Sequence, residues 1–290
     1  MWLVWSSTVV TPRPGVSPQT VLEALRETET AVGNARGAGG SALDQFNRYH
    51  LWADEAANRL GRLLRPDDVD DLVTTRRHWT LQSLDPASRA SGALATFVGL
   101  EFDERVRDFE LARRDLEAQL ARWNSRSGLF VIADTNVYLH HEDYFDEIAW
   151  NSVVPALAEG VHLIVPLVVV DELDRHKRTA RNVTVSSTSI EQVRTRARLS
   201  LRRLDDLLPD PAWLATVQPD RFPDAGPVTV EFLLDDRRHV RLPDADTELV
   251  DRAVGLQDVS GRKVHIVTFD TGMSVRARAA HLEVVKLKEV

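Results

Sequence analysis

The residues of this chain that could do chemistry are acids placed just beyond apolar runs. Leu129-Phe130-Val131-Ile132-Ala133 leads straight into Asp134-Thr135-Asn136. Asp171 and Glu172 follow Val168-Val169-Val170, Asp244 and Asp246 open a helical pattern, and Asp270 lies just past Thr268. Parallel strands share a C-terminal edge, so acids at such ends converge although they are far apart in sequence. Crowded carboxylates raise one another's pKa, and a divalent cation relieves the repulsion. Oxygen-only ligation selects a hard cation, Mg²⁺ or Mn²⁺, over zinc. Such a cation activates water and neutralises a scissile phosphate, so the expected reaction is in-line hydrolysis of a phosphodiester. Taken singly, Glu172 or Asp246 reads as a helix cap. Asp134, straight after a buried apolar run, does not; Thr135 and Asn136 read as turn formers or as groups that orient it.

The elements that must carry these acids alternate between strand and helix. Strands are expected at Leu129–Ala133, Val161–Val170 with an interruption at Pro166, Val264–Thr268 and Leu282–Leu287. Helices are expected at about Tyr144–Ala158, Asp171–Arg181, Ser189–Leu208, Ala245–Gln257 and Thr271–Ala280. Apolar runs without alternation suit strands buried on both faces, and the βα alternation indicates an α/β fold on a parallel sheet. A proline-rich insertion between Pro209 and Pro243 is expected to hold a hairpin, Val228–Leu233 against His239–Leu242 across Asp235-Asp236-Arg237-Arg238.

Cations cluster beside the second acid pair. Arg175, His176, Lys177, Arg178 and Arg181 are followed by Arg194, Arg196, Arg198, Arg202 and Arg203, and between Leu173 and Arg203 only Asp174 and Glu191 oppose them. Cations beside a metal site hold a phosphate backbone without reading its sequence. Arg175, Lys177 and Arg178 are the first phosphate contacts to expect, with Arg276 a further one. The polar stretch from Val183 to Ser189 is expected to be a mobile gate.

The first part of the chain carries helical signals and no chemistry. Ser17-Pro18 opens a helix to about Val32, and glycine-rich Gly33–Gly40 reads as a flexible connection. Ser41 and Asp44 make a capping box for a helix to about Leu64. Another helix starts at Pro66, and a long one covers about Ser88–Trp123. His50 and His78 are isolated, which suits structural roles. A module for self-association or for docking a protein partner is the expectation here.

Composition bounds the rest. The 290 residues are 43% hydrophobic and 28% charged, as in a globular protein, with no cysteine for disulfides, thiolate metal sites or nucleophiles. The net charge of −8 argues against coating nucleic acid over the whole surface. No apolar run approaches membrane-spanning length, and a cytoplasmic location with no membrane partner is expected.

The joint pattern resembles a known family. Asp134-Thr135-Asn136 after a hydrophobic strand resembles the opening motif of PIN-domain nucleases. Pro166-Leu167-Val168-Val169-Val170-Asp171-Glu172-Leu173-Asp174 is similar to the second motif, Asp246-Thr247-Glu248-Leu249 to the third, and Thr268-Phe269-Asp270 to the last. The resemblance covers residues 128–290 and leaves the helical residues 1–127 unassigned. It implies a three-layer α/β/α sandwich with a central parallel sheet and metal-dependent RNA cleavage. By position it makes Asp134, Glu172, Asp246 and Asp270 the catalytic and metal-binding acids, with Asn136 and Thr268 in support. Asp171, Asp244 and Asp251 do not occupy motif positions. The expected function is a Mg²⁺- or Mn²⁺-dependent endoribonuclease acting on single-stranded RNA, with single-stranded DNA as the other substrate to test. Two further readings are a catalytically inactive PIN scaffold that serves as an RNA-binding or assembly protein, and a ribonuclease of the toxin–antitoxin kind restrained by its N-terminal helices.

Overall fold

In the computed structural model, which describes residues 10–85, 91–154, 159–186, 189–217, 226–235 and 239–288, the chain divides into two compact units. One comprises Met1–Trp123 with Asp258–Gly261, the other Asn124–Gln257 with Arg262–Val290. In the first unit, α1 (Pro18–Gly37) begins with proline at its first position, where a missing N–H costs nothing. It continues through Gly33 and Gly37, past the expected end at Val32. A helical glycine costs only about 1 kcal/mol relative to alanine, and tertiary contacts offset that: Arg48 Nε donates to Ala35 O, and Arg36 pairs with Asp103. The capping box forms as expected at α2 (Ala42–Leu60), with Asp44 N donating to Ser41 Oγ at 3.2 Å and Ser41 N to Asp44 Oδ2 at 3.0 Å.

Three more helices complete this unit: α3 (Pro66–Leu72), α4 (Arg76–Gln82) and α5 (Ser91–Asn124). The stretch 88–90 expected to open α5 lies outside the described residues. Leu25, Tyr49, Leu60, Leu72, Val98 and Phe109 are fully buried in the shared core. Glu101 and Arg105 are buried with them and paired at 3.1 Å, while Arg77 Nη1 lies 3.3 Å from Glu101. His78 is buried against the Tyr49 hydroxyl at 3.2 Å.

The second unit is built on strands. In chain order it contains β1 (Leu129–Ala133), α6 (Thr135–His140), α7 (Trp150–Val153), β2 (Val161–Pro166), α8 (Leu167–His176), β3 (Asn182–Ser186), β4 (Ser189–Gln192), α9 (Val193–Leu207), β5 (Ala215–Val217), β6 (Val228–Leu233), α10 (Ala245–Ser260), β7 (Val264–Thr268), α11 (Thr271–Ala279) and β8 (Glu283–Lys286). Six strands form one sheet in the order β5-β6-β2-β1-β7-β8, parallel throughout except that β5 runs antiparallel to β6. This is the expected α/β class, a mostly parallel central sheet flanked by helices. Glycine is required where β1 begins: Gly128 has φ +85°, and a Cβ there would lie 2.7 Å from the Gly160 backbone. The chain runs from β1 out through β2 to β6, then returns to place β7 on the other side of β1. Between β1 and β7 the connections reverse, and such a switch point opens a crevice at the strands' carboxyl ends.

Several expected elements are corrected. The second strand stops at Pro166, and Val168–Val170 belong to α8. An unbroken apolar run does not separate buried strand from buried helix, and here Val169 and Leu173 face the core one turn apart. Val183–Ser189 is not a loose gate over its described part. Val183 and Val185 are buried in alternation, the strand period, and β3 pairs with β4 where a helix from Ser189 was expected. The expected helix from Tyr144 is only the short α7, with 155–158 outside the described residues. The expected hairpin partner of β6 is also corrected. Its antiparallel neighbour is β5, and His239–Leu242 is not a strand but is held by side chains, His239 to Glu248 and Arg241 to Asp171. Residues 236–238 of the expected turn lie outside the described residues.

Candidate metal and active site

Asp134 emerges from the end of β1 at the switch point and is 2% exposed. Its backbone N–H donates to Val267 O at 2.9 Å, which continues the β1–β7 ladder, while α6 begins at the next residue. The Thr268 hydroxyl, at the end of β7, donates to Asp134 Oδ2 at 2.8 Å, and Asn136 Nδ2 donates to the same oxygen at 3.3 Å. Thr268 Oγ1 also accepts from Asp270 N at 2.9 Å, so one hydroxyl locks two acid-bearing positions together. Asp270 caps α11 by accepting from Met273 N at 2.7 Å.

The remaining acids arrive on helices. Glu172 sits in the second turn of α8, not at a strand end, and its Oε2 accepts from the Thr135 hydroxyl at 2.6 Å. Thr135 therefore has a defined task, clamping the α6 start to the α8 acid. Asp246 lies in the first turn of α10, with Arg276 Nη1 2.7 Å from its Oδ2.

These acids feel one another's charge. Burial pushes the Asp134 carboxyl up to about 6, against the lowering hydrogen bond from Thr268, and the charge of Asp246 adds to the rise. Asp246 is also raised, first by burial and further by the charges of Asp244, Asp270 and Glu172, while Arg276 opposes. Asp134 is thus a buried acid whose side-chain donors are neutral, and it feels the charge of a second acid that in turn feels three more. Its donor set is entirely oxygen, which fits a hard divalent cation. Asp244 has a local role, accepting from Thr247 N at 3.0 Å as a cap. Asp171 pairs with Arg241.

The expected basic strip divides. Arg175 and Arg178 are exposed, and Lys177 pairs with Asp174 at 2.6 Å. Arg196 is fully buried, donating to the carbonyls of His141, Glu142 and Asp143, with its guanidinium 4.2 Å from the Tyr144 ring centre. Arg203 covers Tyr144 as well and pairs with Asp146 at 2.6 Å. These two arginines shape the chain after α6 and are not phosphate contacts. A count of like charges could not separate them from the exposed ones.

Asp235, His239 and Glu248 also bring ligand-type atoms within 4.8 Å of one another. Each has partners inside the protein: Arg241 and Arg252 approach Asp235 at 2.7 and 3.7 Å, His239 Nε2 lies 2.5 Å from Glu248 Oε1, and Leu242 N donates to Oε2. That cluster ties the segment before α10 to the helix itself. Neither His239 nor Glu248 stands out in the sequence, because the spacing that joins them depends on the fold of the insertion.

A family model described as PIN domain matches residues 131–288, more than half of the chain. The chain belongs to the PIN-domain family. The match spans β1 to β8, so every acid of the site lies inside the PIN domain, a nuclease-type fold. The helical N-terminal region has no family match. Comparison with curated proteins and with solved structures gives no significant match. Among the described residues no helix is long and apolar enough to cross a membrane.

Proposed function

We propose that the protein is a metal-dependent endoribonuclease that hydrolyses phosphodiester bonds of single-stranded RNA. In this reading Asp134, Glu172, Asp246 and Asp270 hold Mg²⁺ or Mn²⁺ and are the catalytic acids of the PIN domain, residues 128–290. The bound cation supplies an activated water and neutralises charge building on the phosphate. Thr268 and Asn136 fix the Asp134 carboxylate by hydrogen bonds to one oxygen, and Thr135 does the same for Glu172. Arg175, Lys177, Arg178 and Arg276 meet the phosphate backbone. Residues 1–127 supply no catalytic group and act as a docking module for a protein partner or a second copy.

The observation that carries the reading is Asp134. A carboxyl buried among neutral donors, raised to about 6 and facing other acids, is poorly placed to contribute to folding and well placed to receive a cation. The test is incubation of the full chain with labelled single-stranded RNA and single-stranded DNA in Mn²⁺ or Mg²⁺, beside Asp134→Asn. Cleavage of RNA internally, abolished by EDTA and reduced at least about 100-fold in the variant, is expected. Full EDTA-sensitive cleavage by Asp134→Asn contradicts the assignment, and preferential cleavage of DNA replaces the substrate.

A further inference from the structure

One cation already stands in the acidic site. Arg276, in the second turn of α11, places Nη1 2.7 Å from Asp246 Oδ2. Glycine at position 272 leaves it room. A Cβ there would lie 3.0 Å from Asp270 Oδ1 and 3.4 Å from Arg276 Nη1, so the guanidinium and the Asp270 carboxylate flank the same open space. The pair is half-exposed, with side-chain exposures of 48% and 36%, so it is screened and exchangeable. A guanidinium is always charged and presents several donors, so it can neutralise a carboxylate in one position and grip a phosphate in another.

We propose that Arg276 is a built-in placeholder for the metal: it neutralises Asp246 while the site holds no cation, gives that carboxylate up when a divalent cation arrives, and is thereby released to the substrate phosphate. This rests on the reading of the site given above. Placeholder and metal compete for one carboxylate, so each weakens the other's hold on it, while metal and phosphate contact reinforce each other through the released arginine. The exchange breaks the Arg276–Asp246 ion pair and leaves every covalent bond of the protein intact. In the metal-free protein Arg276 offsets one of the acid charges, which eases the repulsion within the cluster before metal is present.

The test is titration of Mn²⁺ into metal-free full-length protein, followed calorimetrically, for the wild type, Arg276→Gln, Arg276→Lys and Asp134→Asn. Removing the competing charge is expected to tighten Mn²⁺ binding about two- to fivefold in Arg276→Gln, the range set by an exposed ion pair. Arg276→Lys, which keeps the charge, should bind Mn²⁺ as the wild type does. With Mn²⁺ saturating, Arg276→Gln should still cleave RNA more slowly than the wild type, a split between tighter metal and poorer turnover that a merely structural arginine does not produce. Equal or weaker Mn²⁺ binding by Arg276→Gln overturns the placeholder, and undiminished cleavage overturns its release to phosphate. If wild-type Mn²⁺ binding proves insensitive to Asp134→Asn, it is the underlying assignment of the site that fails.

Discussion

Both units of this protein bury an acid, and they treat it in opposite ways. In the helical unit Glu101 is fully buried beside the equally buried Arg105 at 3.1 Å, with Arg77 at 3.3 Å and hydroxyls of Thr75 and Tyr49 within 3.4 Å. In the sheet unit Asp134 is 2% exposed, and the side chains that donate to it, Thr268 and Asn136, are neutral. A buried charge is tolerated only when paired. Glu101 therefore reads as structure, its charge matched by two arginines although its Oε2 accepts no hydrogen bond, and Asp134 as an acid with no cation among its side-chain donors. Glu231 belongs with Glu101, held by Arg126 at 2.6 Å and by His162 at 2.7 Å.

The largest expected effect lies on the structural side. Glu101→Ala leaves Arg105 buried without its acid and should destabilise the protein by about 3–5 kcal/mol, read from denaturant unfolding. The cleavage rate per folded molecule should be unchanged. Loss of cleavage at unchanged stability would reverse the roles assigned to the two acids.

The next effect concerns pH. Burial raises the folded-state Asp134 carboxyl from 3.8 to about 6, so the folded protein holds this proton more tightly than the unfolded chain does. The stabilisation is fully present below about pH 4, is lost as pH rises towards 6, and is absent above it. The roughly two-unit shift corresponds to about 3 kcal/mol across that window in metal-free protein. Asp134→Asn should remove this pH dependence and leave the metal-free protein more stable at pH 7. A variant that follows the wild-type profile would show that burial does not act on Asp134 in this way.

Smaller again is the effect of the hydroxyl that ties two acids together. Thr268→Val removes the donor to Asp134 and the acceptor for Asp270 N while keeping the shape of the strand end. Metal affinity should fall about 10- to 100-fold, as for other groups that orient ligands. An unchanged Mn²⁺ affinity would make Thr268 a packing residue only.

How far this was legible in the sequence depended on whether a residue's meaning was local. The Ser41–Asp44 cap and the β1 run into Asp134 are local patterns, and both appear in the structure where the sequence places them. Val168–Val170 were not legible, because three consecutive valines satisfy a buried strand and a buried helix equally. The choice was made by Leu173 reaching the core from a helix, which also moved Glu172 from a strand end to a helical turn. Thr135 looked like a turn former until the position of α8 gave it Glu172 as a partner. Arg196 was misread for the same reason: whether it faces solvent or the carbonyls of 141–143 is decided by a loop far away in sequence.

The contrast between the two acids is tested most directly by melting metal-free wild type and Asp134→Asn at pH 7, with and without Mn²⁺. The expected result is that the metal-free variant melts above the metal-free wild type, and that Mn²⁺ raises the melting temperature of the wild type alone. Equal Mn²⁺ stabilisation of both proteins, or a metal-free variant less stable than the wild type, would contradict the claim that Asp134 is a buried charge waiting for a cation.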